Sequence, residues 1–289
     1  MIDLHTHSTA SDGELNPAQL IREAAKKGIS SVALTDHDTL DGLECAENEA
    51  KAAGIRFIHG IEISISRIGE SVSGVPGLGP GGEFHLLGLG IKSPTSDFLG
   101  AVAELSRRRE KRNLEILARM HELSIEASWE DVLALSGGRT IGRPHFAELL
   151  VRKRIVKNRE QAFDRYLRIG KPLFVPKTGF DFTEAAALIR ESGGIPVLAH
   201  PGSLYIAWGR LPGFLKVLKD RGLAGIEAWH PNAKAKFCRR LEELGKTLGL
   251  YITEGSDFHG ASRPGRELGC SQKGRKISDS VLEAIPELL

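Results

Sequence analysis

The chain has 289 residues, of which 41% are hydrophobic and 26% are charged, and its formal net charge is +2. This composition is typical of a globular protein that forms one large α/β domain or two smaller domains. The small net charge gives no support for a nucleic-acid or membrane surface. No apolar run approaches the about 18 residues that a membrane-spanning helix needs.

The cysteines and the N-terminal residues indicate in which cellular compartment the protein is expected. Cys45, Cys238 and Cys270 are odd in number and far apart in the sequence, which favours a reducing compartment over a disulfide framework. The first residues lack the basic and apolar regions of a signal peptide. We therefore expect a cytoplasmic protein with no membrane partner.

Short apolar runs alternate with amphipathic helices along most of the chain. The first predicted helix has Asn16 as its N-cap, Pro17 in its first turn and Gly28 at its end, and the second ends at Gly54. Seven runs have the pattern of strands: MIDL, SVALT, IRFIHGIEIS, FHLLGLGI, IPVLA, AGIEAW and GLYIT. This alternation predicts a parallel sheet, and so many units predict a closed or nearly closed barrel.

Residues 93–172 interrupt this alternation with a mostly helical stretch. A long helix is marked by the apolar residues Leu105, Leu114, Leu117 and Met120. Asn158 and Gln161 have the spacing of a capping box for a later helix. We interpret 93–172 as a helical insert between two parts of the barrel, 1–92 and 173–289.

Two other segments each have two interpretations. Residues 66–83 contain six glycines and two prolines, which predicts a loop that is either a tolerated surface insertion or a flap over the site. The basic run RRREKR at 107–112 is either a solvated helix face or an edge that attracts phosphate.

Potential metal ligands are concentrated at the ends of the predicted strands. They are His5, His7, Asp12, Asp36, His37, Asp38, Glu62, His85, His200, His230, Asp257 and His259. Active sites of (β/α) barrels lie at the carboxyl ends of the strands. We therefore expect a metal centre at that end of the barrel.

The spacing of these residues supports a shared site. Residues i and i+2 of a strand point to one face, so His5 and His7 can bind one cation, and Asp257 and His259 have the same spacing. The alternative is a rim of hydrogen-bonded polar residues, but burying so many of them without cations would be costly. His59 has the opposite parity to Glu62 and should face away from the site.

The ligand types limit the choice of metal. Cysteine is absent from the cluster, which argues against a structural zinc site, whereas histidine with carboxylate suits manganese, iron or zinc. We expect two or three divalent ions, with Mn²⁺ as the first choice and Fe²⁺ or Zn²⁺ as alternatives. We interpret His121 as a surface residue, and His230 either as structural or as a support for ligand or substrate.

The motifs DLHTHSTASDG, ALTDHDT, GIEIS, FHLLGLG, VLAHPG and GSDFH together resemble the PHP (polymerase and histidinol phosphatase) family. GRPHFAELLV and GKPLFVP further resemble its nucleotide-directed branch, which includes 3′,5′-bisphosphate nucleotide phosphatases and 5′–3′ exoribonucleases. The resemblance implies a distorted seven-stranded (β/α) barrel. The glycine-rich stretch at 66–83 departs from the family, in which the corresponding link is usually short.

The resemblance also implies how the ligands are divided among three cations. One cation would take His5, His7, Glu62 and Asp257; a second would take Asp12, His37 and His259; a third would share Glu62 and add His85 and His200. In the insert, Arg143 before a helix started by Pro144 would bind phosphate. Lys171, or Lys177 in its place, would add charge without the bidentate geometry of arginine.

The expected reaction is hydrolysis of a phosphate monoester by a metal-activated water, without a covalent intermediate. Asp257, a ligand with a second oxygen free, could accept a proton from that water. The expected substrate is a small nucleotide such as adenosine 3′,5′-bisphosphate. The alternatives are short 5′-phosphorylated RNA, histidinol phosphate and, as a non-enzyme, a metal-binding regulatory module.

Overall fold

The computed structural model describes residues 1–66, 82–136, 140–176, 179–261 and 263–289. Within them lie seven strands: β1 (Ile2–Asp3), β2 (Ser31–Leu34), β3 (Arg56–Ser64), β4 (His85–Leu89), β5 (Ile195–Leu198), β6 (Gly225–Trp229) and β7 (Tyr251–Glu254). Six of them lie within the predicted runs, and β7 extends one residue, Glu254, beyond the run GLYIT. The strands form one sheet and are ordered in it as they are in the chain.

The helices of the described residues alternate with the strands except around β4, which follows β3 without a described helix and is followed by α3 to α7. They are α1 (Pro17–Lys26), α2 (Leu43–Ala53), α3 (Ser96–Glu122), α4 (Trp129–Ser136), α5 (Arg143–Arg152), α6 (Arg159–Ala162), α7 (Phe182–Glu191), α8 (Leu211–Asp220), α9 (Ala235–Thr247) and α10 (Ser280–Glu283). A π-helical turn at Phe163–Leu167 continues α6, and short 3₁₀ turns lie at Pro201–Leu204, Gln272–Gly274 and Pro286–Leu288.

The expectation of a purely parallel sheet is wrong for one strand. β4 pairs antiparallel with both β3 and β5, while the other neighbouring pairs are parallel. The direction of the chain is therefore reversed at this strand. As a result His85, the first residue of β4, lies at the same end of the sheet as the carboxyl ends of its parallel neighbours.

The predicted barrel is nearly closed. Beyond the regular strands, Thr6 after β1 forms a parallel bridge to Phe258 after β7. The backbone N–H of His7 donates to the carbonyl of Phe258 over 2.9 Å. The first and last strands therefore meet only at the end where the candidate ligands lie.

Local sequence signals account for the helix ends. Asn16 and Gln19 form a reciprocal capping box at α1, and Gly54 ends α2 with φ +68°, a conformation that glycine adopts without strain. The capping box predicted at Asn158 is only half present. Asn158 caps the N–H of Gln161, but the Gln161 side chain accepts from Lys157 instead.

The core of the barrel is apolar on both faces of the sheet, as expected for strands covered by helices. One cluster contains strand residues such as Ile2, Val197 and Leu87. Another joins α1 and α2 to β2 through Leu20, Ala46 and related residues. This packing fixes the strand ends that carry the polar residues.

The chain divides into two compact units, residues 1–102 with 179–289 and residues 103–178. The second unit has its own apolar cluster, which includes Ile116 and Phe146. In the basic run, Arg107 and Arg108 pair with Glu104 in solvent, whereas Arg112 is buried. Residues 67–81 of the glycine-rich stretch lie outside the described residues, and both interpretations of it stay predictions.

Candidate metal centre

The nine candidate metal ligands all belong to the barrel unit and meet at one end of it. They are His5, His7, Asp12, His37, Glu62, His85, His200, Asp257 and His259. Most of their side chains are buried; Asp12, His37 and His200 are the more accessible ones, at 26%, 14% and 11% exposure. The accessible side of the cluster is therefore where a substrate can reach it.

Glu62, near the end of β3, is surrounded by imidazole nitrogens. Its Oε1 lies 2.8 Å from His200 Nε2 and 2.9 Å from His85 Nδ1. Its Oε2 has three imidazole neighbours: His37 Nδ1 at 3.0 Å, His7 Nε2 at 3.2 Å and His5 Nε2 at 3.3 Å. One carboxylate thus links ligands that come from β1, β2, β4 and β5.

Asp12 forms a second focus, on the loop after β1. Its Oδ1 lies 3.1 Å from His259 Nε2, 3.8 Å from His37 Nε2 and 3.9 Å from His7 Nδ1. His7 and His37 therefore each turn one ring nitrogen toward Asp12 and the other toward Glu62. This arrangement places two imidazoles between two carboxylates.

Asp36 and Asp38 lie beside His37 in the sequence but do not join these groups. Asp36 accepts from the backbone N–H of Ser8 at 2.8 Å and from Ser11 Oγ at 2.5 Å, which holds the loop that carries Asp12. Asp38 accepts from the N–H of Ser64 at 2.7 Å. Of the three residues in this motif, His37 alone faces the cluster.

Asp257, after β7, uses its two oxygens differently. Oδ1 faces the histidines, at 3.3 Å from His7 Nε2 and 3.6 Å from His5 Nε2. Oδ2 lies 2.5 Å from Arg266 Nη1 and 3.0 Å from His230 Nε2. The expectation that the second oxygen of Asp257 is free is therefore wrong.

The residues fit a set of divalent cations. Three groups have ligand atoms within 4.8 Å of one another: His7–Asp12–His37–His259, His5–His7–Asp257 and His37–Glu62–His85. Among the described residues, Asp12 Oδ1, His37 Nδ1 and Glu62 Oε2 are buried without a hydrogen-bond partner. Buried polar atoms that approach one another without hydrogen-bonding geometry are satisfied when a cation lies between them.

The ionisation states of His37, Glu62 and Asp12 suit cation binding. Burial outweighs the neighbouring carboxylates and lowers the pKa of His37 to about 4, so this ring is neutral and can offer a lone pair. Burial alone would raise the pKa of Glu62, but the surrounding histidines, His37 first, hold it well below its usual value. The pKa of Asp12 is likewise held well below its usual value against burial, chiefly by His259.

Glu227 on β6 is a buried residue of the site that sequence reasoning missed. Its Oε1 lies 2.9 Å from His5 Nδ1, and its Oε2 accepts from the backbone N–H of His200 at 2.7 Å. Partners of this kind orient metal-binding imidazoles and fix their tautomers. The available signal was a single acidic residue in the otherwise apolar run AGIEAW.

The loop after His259 adds two arginines that were also missed. Arg266 is buried against Asp257 and also approaches His259 Nδ1 at 3.3 Å. Arg263 is 40% exposed and lies 3.3 Å from Asp12 Oδ2. Neither was singled out because both lie in RPGREL, which reads as an ordinary loop.

His59, His121 and His145 belong to none of these groups of ligand atoms. His59 approaches Glu47 at 3.3 Å on the outer face of β3, as its parity predicts. His121 Nε2 lies 2.6 Å from the carbonyl of Ala127. His145 Nδ1 accepts from the N–H of Gly142 at 3.0 Å and so caps α5.

The two expected phosphate-binding residues lie in the second unit. Arg143 is the first residue of α5, next to Pro144, as expected from the motif. Lys171 is exposed in a turn in which its N–H donates to the carbonyl of Arg168. Lys177, the suggested replacement for Lys171, lies outside the described residues.

The chain is similar over most of its length to two bacterial enzymes and to one solved structure. A 5′–3′ exoribonuclease of Haemophilus influenzae is 33% identical over 89% of this chain and 89% of its own length. A 3′,5′-nucleoside bisphosphate phosphatase of Chromobacterium violaceum is 30% identical over 93% of this chain and 90% of its own. An amidohydrolase structure from C. violaceum, with bound sulfate and no metal, has a TM-score of 0.80, 28% identity, and covers 98% of this chain and 96% of that one.

A barrel end lined by overlapping groups of imidazole nitrogens and carboxylate oxygens defines a metal-dependent hydrolase. The model of the PHP domain matches residues 3–173, which is more than half of the chain. The chain belongs to the PHP domain family.

Proposed function

We propose that this protein is a phosphoesterase that removes a terminal phosphate from a small nucleotide, with a 3′,5′-bisphosphate nucleotide such as adenosine 3′,5′-bisphosphate as the favoured substrate. The observation that carries the proposal is the cluster around Glu62, where three imidazole nitrogens lie within 3.3 Å of one carboxylate oxygen. The C. violaceum relative, a phosphatase of such nucleotides, supports this substrate class.

We assign the ligands to overlapping groups rather than to separate sites. Two or three divalent cations, with Mn²⁺ as the first choice, would be held by His5, His7, Asp12, His37, Glu62, His85, His200, Asp257 and His259. When bound, such cations lower the pKa of water from 15.7 to about 7 and offset the charge of a phosphoryl group. His7 and His37 each face two of the carboxylates, so each would offer one ring nitrogen to a cation and direct the other at a carboxylate.

Asp257 acts in this proposal as an anionic ligand and not as a proton acceptor. The N–H of Asn232 donates to His230 Nδ1 at 3.2 Å, so His230 carries its proton on Nε2 and donates it to Asp257 Oδ2. Arg266 donates to the same oxygen. These two donors hydrogen-bond the ionised carboxylate. Burial alone would raise the pKa of Asp257, but the neighbouring histidines, His5 first and then His230, hold it well below its usual value.

The helical insert supplies the phosphate-binding residues in this proposal. Arg143 combines a planar guanidinium with the N-terminus of α5, and both favour an anion. Lys171 adds a second positive charge. We propose that these two residues hold the substrate, while the barrel residues bind the cations and activate water.

The second candidate is removal of nucleotides from short 5′-phosphorylated RNA. The H. influenzae relative, which is an exoribonuclease at 33% identity, favours it. The two candidates use the same cation cluster and differ in how much of the substrate lies beyond the reacting phosphate. Two further alternatives are a phosphatase that acts on histidinol phosphate and a metal-binding regulatory module without turnover. A panel of substrates must distinguish these from the two nucleotide-directed candidates.

The test is a substrate panel on one protein preparation. Metal-depleted protein is reloaded with Mn²⁺, Fe²⁺ or Zn²⁺, and its metal content is measured. Phosphate or nucleotide release is then followed from adenosine 3′,5′-bisphosphate, histidinol phosphate and 5′-phosphorylated RNA. We expect the highest kcat/KM on a nucleotide; activity confined to histidinol phosphate would overturn the substrate class. Full metal occupancy without turnover of any ester would favour the regulatory module.

A further inference from the structure

The segments that follow β5 and β6 bring three aromatic side chains and one arginine together. Tyr205 and Trp208 lie between His200 and α8, while Phe237 and Arg240 lie on α9. We call these four residues the aromatic surface. β5 and β6 are neighbours in the sheet, so both loops leave the barrel at the end where the cation cluster lies.

The aromatic surface is built by specific contacts. The guanidinium carbon of Arg240 lies 3.8 Å from the centre of the Trp208 ring, which is close enough for a cation–π interaction. Trp208 and Phe237 pack edge to face, with 5.8 Å between ring centres and 83° between planes. A methyl group on Gly202 would lie 3.7 Å from Phe237 Cε1, so Phe237 adjoins the turn that follows His200.

Tyr205 presents its ring to solvent beside this group. The residue is 80% exposed and has φ +52°, in the left-handed region that non-glycine residues rarely adopt. This unusual backbone conformation does not bury the ring. The left-handed residue ends the 3₁₀ turn at Pro201–Leu204, so this turn sets where the exposed ring lies.

The charge around the aromatic surface is positive. Residues 230–240, HPNAKAKFCRR, contain four basic side chains and no acidic one, and residues 201–214 contain Arg210 and no acidic residue. Lys236 lies four positions before Arg240 and so on the same side of α9. One exposed and two half-buried aromatic rings combined with positive charge match the bases and phosphates of a single nucleic-acid strand.

We propose that the aromatic surface is a stacking subsite for the bases of a single-stranded oligonucleotide whose terminal phosphate lies at the cation cluster. Tyr205 and Trp208 stack on bases beyond the reacting nucleotide, and Arg240 and Lys236 face the backbone phosphates. The assignment rests on the proposed phosphoesterase function and deepens it. It predicts that bases beyond the reacting nucleotide add to the binding of a short strand.

The test compares a short strand with a single nucleotide. We expect Tyr205→Ala and Trp208→Ala to raise the KM for a 5′-phosphorylated hexanucleotide by about tenfold more than the KM for adenosine 3′,5′-bisphosphate. Tyr205→Phe keeps the ring and should retain most of the affinity. Arg22→Gln on α1 is the charge control for Arg240→Gln, because Arg22 is an exposed arginine that pairs with Glu49.

A binding measurement separates this proposal from the proposed function. Fluorescence anisotropy of a labelled hexanucleotide, with the metal-depleted protein, reports binding without turnover. Weaker binding by Tyr205→Ala and Arg240→Gln, but not by Arg22→Gln, supports the subsite even if no ester is hydrolysed. Equal changes in KM for both substrates, or unchanged oligonucleotide binding in Tyr205→Ala, would overturn it. Because Tyr205 is 80% exposed, this variant tests the surface without a folding defect.

Discussion

Glu227 Oε1 lies 2.9 Å from His5 Nδ1, and both side chains are fully buried. The contact joins β6 to the segment after β1 across the end of the barrel. It leaves His5 Nε2 directed at Glu62 and Asp257. The orientation of the first candidate ligand is therefore set by a residue more than two hundred positions away in the chain.

Glu227→Gln tests this relationship. The amide keeps the shape of the side chain but removes the charge that fixes the His5 tautomer, so we expect metal affinity to fall by about 10- to 100-fold. Metal titration of the depleted protein measures the change. Glu23→Gln, the same substitution at an exposed residue that pairs with Lys26 on α1, is the control; an equal loss in both variants would contradict the role of Glu227.

The stability of the metal-free protein should depend on pH because of the protonation of His7. Burial opposes protonation of this ring, but hydrogen bonds to Asp257 and Glu62 outweigh burial and raise its pKa to about 9. The pKa of His7 in the folded protein thus lies above the ordinary histidine value of 6.5. The resulting stabilisation is therefore fully present below pH 6.5 and is lost as the pH rises through about 9.

Two measurements check this effect. The Tm of chelated protein should fall between pH 6.5 and 9, and bound metal should remove the trend because it replaces the proton. Calorimetry in buffers of different ionisation enthalpy should detect proton release when metal binds at pH 7. A metal-free Tm that rises over the same range would show that His7 is not protonated in the cluster.

Arg143→Ala and His37→Ala should affect activity in different ways. Loss of a charged hydrogen bond to phosphate should lower kcat/KM by about 10- to 100-fold in Arg143→Ala, with normal metal content. His37→Ala should lose both metal and activity, because His37 belongs to two ligand groups. Metal analysis of both purified variants distinguishes a loss of phosphate binding from a loss of metal. Metal loss in Arg143→Ala would contradict the phosphate-binding role of Arg143.

Gly255 allows the close approach of β7 to His5. A Cβ at this position would lie 2.3 Å from His5 Cβ and 2.7 Å from Glu227 Oε1. We expect Gly255→Ala to destabilise the protein by about 1–3 kcal/mol and to weaken metal binding. Gly213→Ala on α8, where a Cβ meets nothing within 4 Å, should leave both unchanged or raise the Tm. Thermal unfolding of the two variants gives the comparison.

The sequence predicted the strands well because each is a short apolar run bounded by turn residues. It could not predict that β4 is antiparallel, since strand direction depends on the connection and not on the run itself. This matters for His85, which lies at the amino end of its own strand and reaches Glu62 only because the strand is reversed.

The predicted ligands converge because strand ends gather at one edge of the barrel. Their supporting partners were less accessible to sequence reasoning. Glu227 lies inside an apolar strand, and Arg266 lies in a loop with no recognisable motif. Long-range contacts of this kind depend on how the barrel closes, which residue spacing along the chain does not specify.

The central claim is that the cluster around Glu62 performs metal-dependent phosphoester hydrolysis. The most direct test measures phosphate release from adenosine 3′,5′-bisphosphate as metal-depleted protein is titrated with Mn²⁺, with Glu62→Gln treated in parallel. We predict that release rises with occupancy of the cluster in the natural protein and is absent in the variant. Phosphate release by fully chelated protein, or equal release by Glu62→Gln, would contradict the claim.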